Sequence, residues 1–188
     1  MSRGARSVYG RHVGTLVRLR PVLSDDLPEL ERMLNSREAS HPYNWFGYQG
    51  SGHFGKRWER SGLLSADEGV LLVVYEQDPD HRLGFVSWDK SKTGQNSFCW
   101  NIGINLLPDA RGQGHGTEAQ RQLVEYLFAH TQVNRIEAGT EVDNFAEQRA
   151  LDKAGFTREG VLRGWLFRGG RWRDCVRYSV LREEVVRD

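Results

Sequence analysis

Between Arg111 and Gly116 the chain reads Arg-Gly-Gln-Gly-His-Gly, with glycine at every second position. Such a run lets backbone approach a bulky anion without obstruction from Cβ atoms. Thr117 opens a helical pattern directly behind it, so unpaired N–H groups and the positive end of a helix dipole face the same point. Arg111 can add a charge-assisted contact. The chemistry of this turn is that of a phosphate cradle; a Gly-rich surface turn is the plain alternative. A Walker loop is excluded because Gly116 is followed by Thr-Glu rather than Lys-Ser/Thr. A dinucleotide fingerprint needs G-x-G-x-x-G in an early βαβ unit, and here the spacing is G-x-G-x-G behind several strands.

Elements on both sides must position this turn. Thr15–Arg20 alternates as a first strand, and Ser24 is a plausible N-cap ahead of Leu27, Leu30 and Leu34 on one helical face. Phe54 and Trp58, four apart, suggest a second helix. Val70–Tyr75 and Leu83–Trp88 read as strands around the turn Asp78–His81, Lys90–Ser97 as a polar loop, and Phe98–Leu106 as a strand. Thr117–His130 is a helix, Arg135–Thr140 a strand, and Ala146–Ala154 a helix stopped by Gly155. Val161–Phe167 and Trp172–Leu181 flank Gly169-Gly170 as a hairpin. The order is β-α-α-β-β-β-α-β-α-β-β, an α/β (α+β) chain with a mixed, mostly antiparallel sheet covered by helices.

The glycine turn and its flanks resemble the GNAT superfamily of acyl-CoA N-acyltransferases. Arg111, Gly114 and Gly116 match its Arg/Gln-x-x-Gly-x-Gly/Ala signature. The resemblance continues through Gly116–Ala119, Asp143-Asn144, Leu151–Phe156, Arg158–Arg163, Gly170–Asp174 and Tyr178-Ser179, a combination similar to the RimJ/RimL-like branch. It is dense from Phe98 to Leu181 and looser from Thr15 to Trp88. It implies a twisted sheet with a splayed central strand pair, Phe98–Leu106 and Arg135–Thr140. It also implies acetyl-CoA as co-substrate, with the pantetheine arm on Ile102, Gly103 and Ile104. The pyrophosphate then sits on Arg111, Gly112, Gln113, Gly114, His115, Gly116 and Thr117, with His115 turned to solvent or a phosphate. Asn144 contacts the CoA arm, and it is also a natural N-cap for the helix that follows. A primary amine is the implied acceptor, and a homodimer the implied assembly.

Acetyl transfer needs a neutral amine, a polarised thioester and a route for one proton. Relatives often carry Glu just before Ile-Gly on the splayed strand; here Asn101 stands there. They often carry Ser three residues after the matched Asn; here Glu147 does. An amide is no base, so Asn101 is left to orient an amine or a water. Either the amine is bound already neutral, or Glu141, whose strand borders the slot, is the expected base, with Glu147 as proton source or water organiser. Asp89, Glu118 and Asp143 are the other nearby acids. The aromatic run His41–Tyr48 is either core or acceptor wall.

The chain's 188 residues suit one domain, expected over residues 15–188 behind a basic, flexible tail at 1–14. The longest apolar run, Val70–Tyr75, is far too short to span a bilayer, and no secretory leader is visible. Two distant cysteines, Cys99 and Cys175, exclude a disulfide or zinc framework and point to a cytoplasmic protein without a metal. A net charge of +1 argues against a nucleic-acid partner, although arginines crowd the hairpin region. Two other functions stay open. The Asn101 departure allows a CoA-binding module with little catalysis, and the arginines allow an RNA- or ribosome-associated factor.

Overall fold

The computed structural model describes residues 17–185, so the expected tail at 1–14 lies outside the described residues. One seven-stranded sheet organises the chain, with strands in the order β1-β2-β3-β4-β5-β7-β6. These are β1 (Val17–Pro21), β2 (Glu68–Tyr75), β3 (Arg82–Lys92), β4 (Phe98–Leu106), β5 (Arg135–Glu141), β6 (Thr157–Arg168) and β7 (Arg171–Leu181). The helices are α1 (Leu27–Asn35), α2 (Arg37–Ser40), α3 (His53–Ser61), α4 (His115–His130), α5 (Phe145–Ala154) and α6 (Arg182–Val185). All neighbouring pairs run antiparallel except β4 and β5. The mixed, helix-covered sheet expected from the element order is therefore the fold found.

Two apolar layers cover the two faces. Alternation along β4 sends Trp100, Ile102 and Ile104 to the side of α4, where Leu123, Val124, Leu127 and Phe128 recur at helical spacing. On the other face Val70, Leu72, Val74 and Phe85 pack against Leu30 of α1 and Phe54 of α3. α4 ends under Arg182, whose guanidinium donates to the carbonyls of Phe128 (2.7 Å), Val133 (3.0 Å) and Thr131 and lies over the Phe128 ring. A cation at a helix C-terminus satisfies orphan carbonyls and the dipole together.

Several boundaries moved. β3 runs on to Lys92, because antiparallel pairing with β4 continues to Lys92↔Phe98 and overrides the polar sequence that reads as a loop. α2, four residues long, is too short to show a periodicity. Ser24 is not the cap: its hydroxyl turns to Asp25, and residues 24–26 form a 3₁₀ turn ahead of α1. Asp26 is the organising residue instead. Its buried carboxylate accepts from Leu23 N–H (2.8 Å), Arg82 Nε (2.6 Å) and both terminal nitrogens of Arg20 (2.6 and 2.9 Å). Burial alone would raise its pKa, but the bonds from Arg20, Leu23 and Arg82 hold it at about 2.

A carboxyl with a depressed pKa stabilises the fold above its ordinary titration range and loses that contribution as pH falls toward its folded value. Asp26→Asn is therefore expected to lower the unfolding free energy by about 2 kcal/mol at pH 7. The gap between variant and parent should close as pH drops from about 4 toward 2, read by chemical denaturation across that range.

Candidate active site

β4 and β5 touch for only three residue pairs, Trp100↔Ile136, Asn101↔Glu137 and Ile102↔Ala138. Beyond Ile102 the two strands diverge, while β4 remains paired with β3 and β5 with β7. The gap between Gly103-Ile104 and Gly139–Glu141 becomes a slot of about 170 Å³. Backbone groups on its two rims have no ladder partner across the gap. The splayed pair expected from the resemblance is thus present, and Ile102, Gly103 and Ile104 line it.

A longer groove of about 450 Å³ leads away from the slot between the glycine turn and α5. Arg111, Gly112, Gly114, Gly116 and Thr117 line one side; Asn144, Glu147, Arg149 and Lys153 line the other. Gly114, at φ +87° and ψ −8°, is the N-cap of α4, and Gly112 is also at positive φ (+74°). A Cβ at either would meet no protein atom within 4 Å. Both glycines therefore serve a backbone conformation and keep the groove floor open. The first helical closure of α4 is Glu118 N–H to Gly114 O, so the opening N–H groups of the helix have no intrahelical partner. Together with the cations of α5 this floor is chemically suited to a phosphate chain.

Not every residue of the turn faces the groove. His115 is a correction. Its ring is fully buried, with Nδ1 3.0 Å from the carbonyl oxygen of Ala110 and its face edge-on to Tyr75, so it points neither to solvent nor to a phosphate. A three-residue glycine spacing cannot reveal that the helix starts at His115 and rolls this side chain inward. Gln113 turns its amide to the Asp109 carbonyl. Arg111 spends its guanidinium on carbonyls of Leu106 (2.9 Å), His41 (2.8 Å) and Ala39, which fastens the turn to residues 39–41. These carbonyls engage Nε, Nη1 and Nη2 of a side chain that also lines the groove.

Asn144 sits where slot and groove meet. Its Oδ1 accepts from Glu147 N–H (3.3 Å), capping α5, and its Nδ2 donates to Thr140 Oγ1 (2.9 Å). One lone pair and one N–H remain for a ligand. Asn101 is not at the slot. Its amide donates to Asp89, its cross-strand partner, at 3.1 Å, on the opposite face of the sheet from Ile102.

The two glutamates stand in different surroundings. Glu141 lines the slot but is buried in an ion pair with Arg168, whose Nε donates to Oε1 at 2.6 Å. Its Oε1 is taken up by that guanidinium rather than left open to an amine, which removes the reason to read Glu141 as base. Arg168 also donates to the Pro42 carbonyl and lies over the Tyr43 ring, so this pair ties the β6–β7 hairpin to the 41–48 segment. Among the described residues, by contrast, no cation lies within bonding distance of Glu147. It is half-buried, lines both cavities and accepts from Gln120 Nε2 at 2.7 Å. Burial pushes its pKa up to about 7, against which the Gln120 bond works only in part.

Residues 41–48 are not core. Phe46 and Tyr48 are exposed, Tyr43 donates to the Asp143 carbonyl (2.8 Å), and Asn44 donates to Ile104 O (3.0 Å) across the slot. Tyr43, Asn44 and Phe46 therefore form a wall of the slot. Asn44 and Arg168 carry no sequence signal of their own. Gln120 does: it is a polar residue on the apolar stripe of α4 that holds Val124, Leu127 and Phe128.

A family model described as "Acetyltransferase (GNAT) domain" matches residues 17–157. The chain belongs to the GNAT acetyltransferase family. Its class is that of acyl-transferring enzymes, and the RimJ/RimL-like resemblance holds among its relatives. A probable N-acetyltransferase of Bacillus subtilis, YjcK, is 35% identical over 120 residues, which cover 63% of this chain and 65% of that protein. The [ribosomal protein uS5]-alanine N-acetyltransferase of Escherichia coli is 24% identical over 164 residues, covering 77% of this chain and 83% of it. Among solved structures, a spermidine N-acetyltransferase from Vibrio cholerae in complex with CoA and spermine superposes with TM-score 0.77 over 90% of this chain and 97% of that one, at 19% identity. These structural neighbours share the GNAT fold. Among the described residues of this GNAT chain no helix is long and apolar enough to cross a membrane.

Gly114→Val adds a branched side chain to the groove floor and forces it into the left-handed region. CoA affinity is expected to fall at least tenfold in calorimetry, while far-ultraviolet circular dichroism keeps its native shape; unchanged affinity would remove the phosphate role of the turn.

Proposed function

We propose that this GNAT chain transfers the acetyl group of acetyl-CoA to a primary amine by direct attack, with Glu147 as the group that handles the proton. The observation that carries this reading is the position of Glu147, a carboxyl with a pKa near 7 at the junction of slot and groove. A base is most useful when its pKa lies near the working pH.

In this reading the glycine turn, Arg149 and Lys153 hold the phosphates, and the free backbone rims of Gly103-Ile104 and Gly139-Thr140 hold the amide-rich arm. The thioester then lies in the slot beside Glu147, with Asn144 at its side. The amine enters past Tyr43 and Phe46. As the amine nitrogen bonds to the acyl carbon, one of its protons passes to the Glu147 carboxylate, directly or through a water. The C–S bond breaks, and the protonated Glu147 returns that proton to the departing thiolate. Proximity supplies much of the barrier lowering, so one modest acid–base group suffices.

An acyl-cysteine route is less well supported. Cys175 lines the slot, but burial and the nearby Glu141 and Asp174 raise its thiol pKa and disfavour the thiolate. The catalytically silent CoA-binding alternative rested on Asn101, and Glu147 answers the lack of a carboxylate there.

Thiol release from acetyl-CoA across a panel of polyamines, peptides and aminoglycosides, with mass spectrometry of the product, tests the activity. Acetylated amine is expected; no thiol release with any amine would contradict it. For the parent enzyme kcat/KM should rise with pH to a plateau, with a midpoint near 7 as Glu147 ionises. Glu147→Gln should lower the plateau ~10²-fold or more while acetyl-CoA affinity stays within about threefold. The same variant should be no less stable than the parent at pH 8. A raised carboxyl pKa means that ionisation destabilises the fold, a cost absent below pH 4.5 and complete above 7.

A further inference from the structure

Gln120 is almost completely buried, on a helix face otherwise built of Ala119, Leu123, Val124 and Leu127. An apolar residue would fill this place without cost, whereas a buried carboxamide must satisfy one acceptor and two donor hydrogens. Only one of these needs is met by a side chain. Nε2 donates to Glu147 Oε1 at 2.7 Å, and Oε1 of Gln120 has no partner among the described residues. A polar group with an unmet acceptor, beside a carboxyl and on the wall of the slot, calls for a proton donor.

We infer that Gln120 is the positioning residue for Glu147, a two-way partner whose amide N–H holds the carboxylate and whose amide oxygen receives the O–H of the carboxylic acid. Half a turn about the last bond of the Gln120 side chain exchanges oxygen and nitrogen at nearly constant shape. The same site then serves both protonation states of Glu147, and no charge is added to the slot. An Arg or Lys in this place would hold the carboxylate ionised. A neutral, reversible partner keeps the carboxyl able to take a proton and to give it back. This role rests on the proposed function of Glu147 and extends it to a second residue.

Other charged or titratable groups line the two cavities, and none replaces Gln120. Glu141 is closed by Arg168, and Arg111 by its three carbonyls. Tyr43 donates to the Asp143 carbonyl, and burial leaves the Cys175 thiol protonated. His41, Arg149 and Lys153 line the groove, and none of them is hydrogen-bonded to Glu147.

Gln120→Met, close in volume and unable to hydrogen-bond the carboxylate, provides the test. The variant loses both bonds, and because the charge-assisted bond to the carboxylate is the stronger of the two, the midpoint of the kcat/KM–pH profile should rise by about one unit. Activity at pH 7 should then drop up to ~10-fold and recover to within about threefold at pH 9, with acetyl-CoA affinity unchanged. A purely packing role would scale the rate equally at every pH, and an unmoved midpoint overturns the inference. Glu147→Gln, run alongside, separates the two levels. If its acid limb vanishes but the Gln120→Met midpoint stays at the parent value, the Gln120 role alone fails. If the acid limb survives in Glu147→Gln, the proton role of Glu147 fails and that of Gln120 with it.

Discussion

The parting of β4 and β5 after Ile102↔Ala138 is the constraint on which the rest of the site depends. A sheet normally uses every interior N–H and C=O in its ladders, and an interior break leaves polar backbone that needs another partner. Here β4 keeps its pairing with β3 and β5 keeps its pairing with β7, so the break is held open by two intact ladders. The helices on either side follow from it. α4 can begin with its N-terminus at the mouth of the gap because β4 veers away, and α5 brings Asn144 and Glu147 to the same mouth. Asn44 donates to one rim carbonyl, that of Ile104.

A second theme is the use of arginine as a backbone clamp. Arg111 bonds carbonyls of residues 39, 41 and 106, Arg168 joins Glu141 to Pro42, and Arg182 closes the end of α4. Guanidinium, with five donors in a fixed fork, suits sites where several carbonyls converge. The arginines near the C-terminus are thus partly internal fittings, which weakens the case for a nucleic-acid face made from the same residues. Arg135 and Arg177 likewise meet Glu137, and Arg135 also meets Glu159.

Much of the fold was legible because strands and helices announce themselves through period. β4 was readable to its ends, and the Gly169-Gly170 turn is at positive φ in both residues, as a tight two-residue hairpin requires. The glycine turn was legible as a groove floor for the same reason, since its function lies in backbone. Side-chain roles were not. Glu141 and Glu147 look alike in a sequence, and only the approach of Arg168 from 27 residues away separates them. His115 was misread because spacing cannot say which way the first helical residue rolls. Gln120 did leave a trace, as a polar residue on an apolar stripe, although its partner 27 positions away did not.

In the proposed reaction Glu147 is a carboxyl that gains and loses a proton near neutrality in the folded protein. Carbon-13 NMR of side-chain carboxyl carbons, with the Glu147 resonance assigned by its disappearance in Glu147→Gln, measures that directly. A titration midpoint near 7 is the result the structure predicts. A midpoint at the ordinary glutamate value of about 4.3 would contradict it, because such a carboxylate is too weak a base near neutrality to draw the proton from the attacking amine.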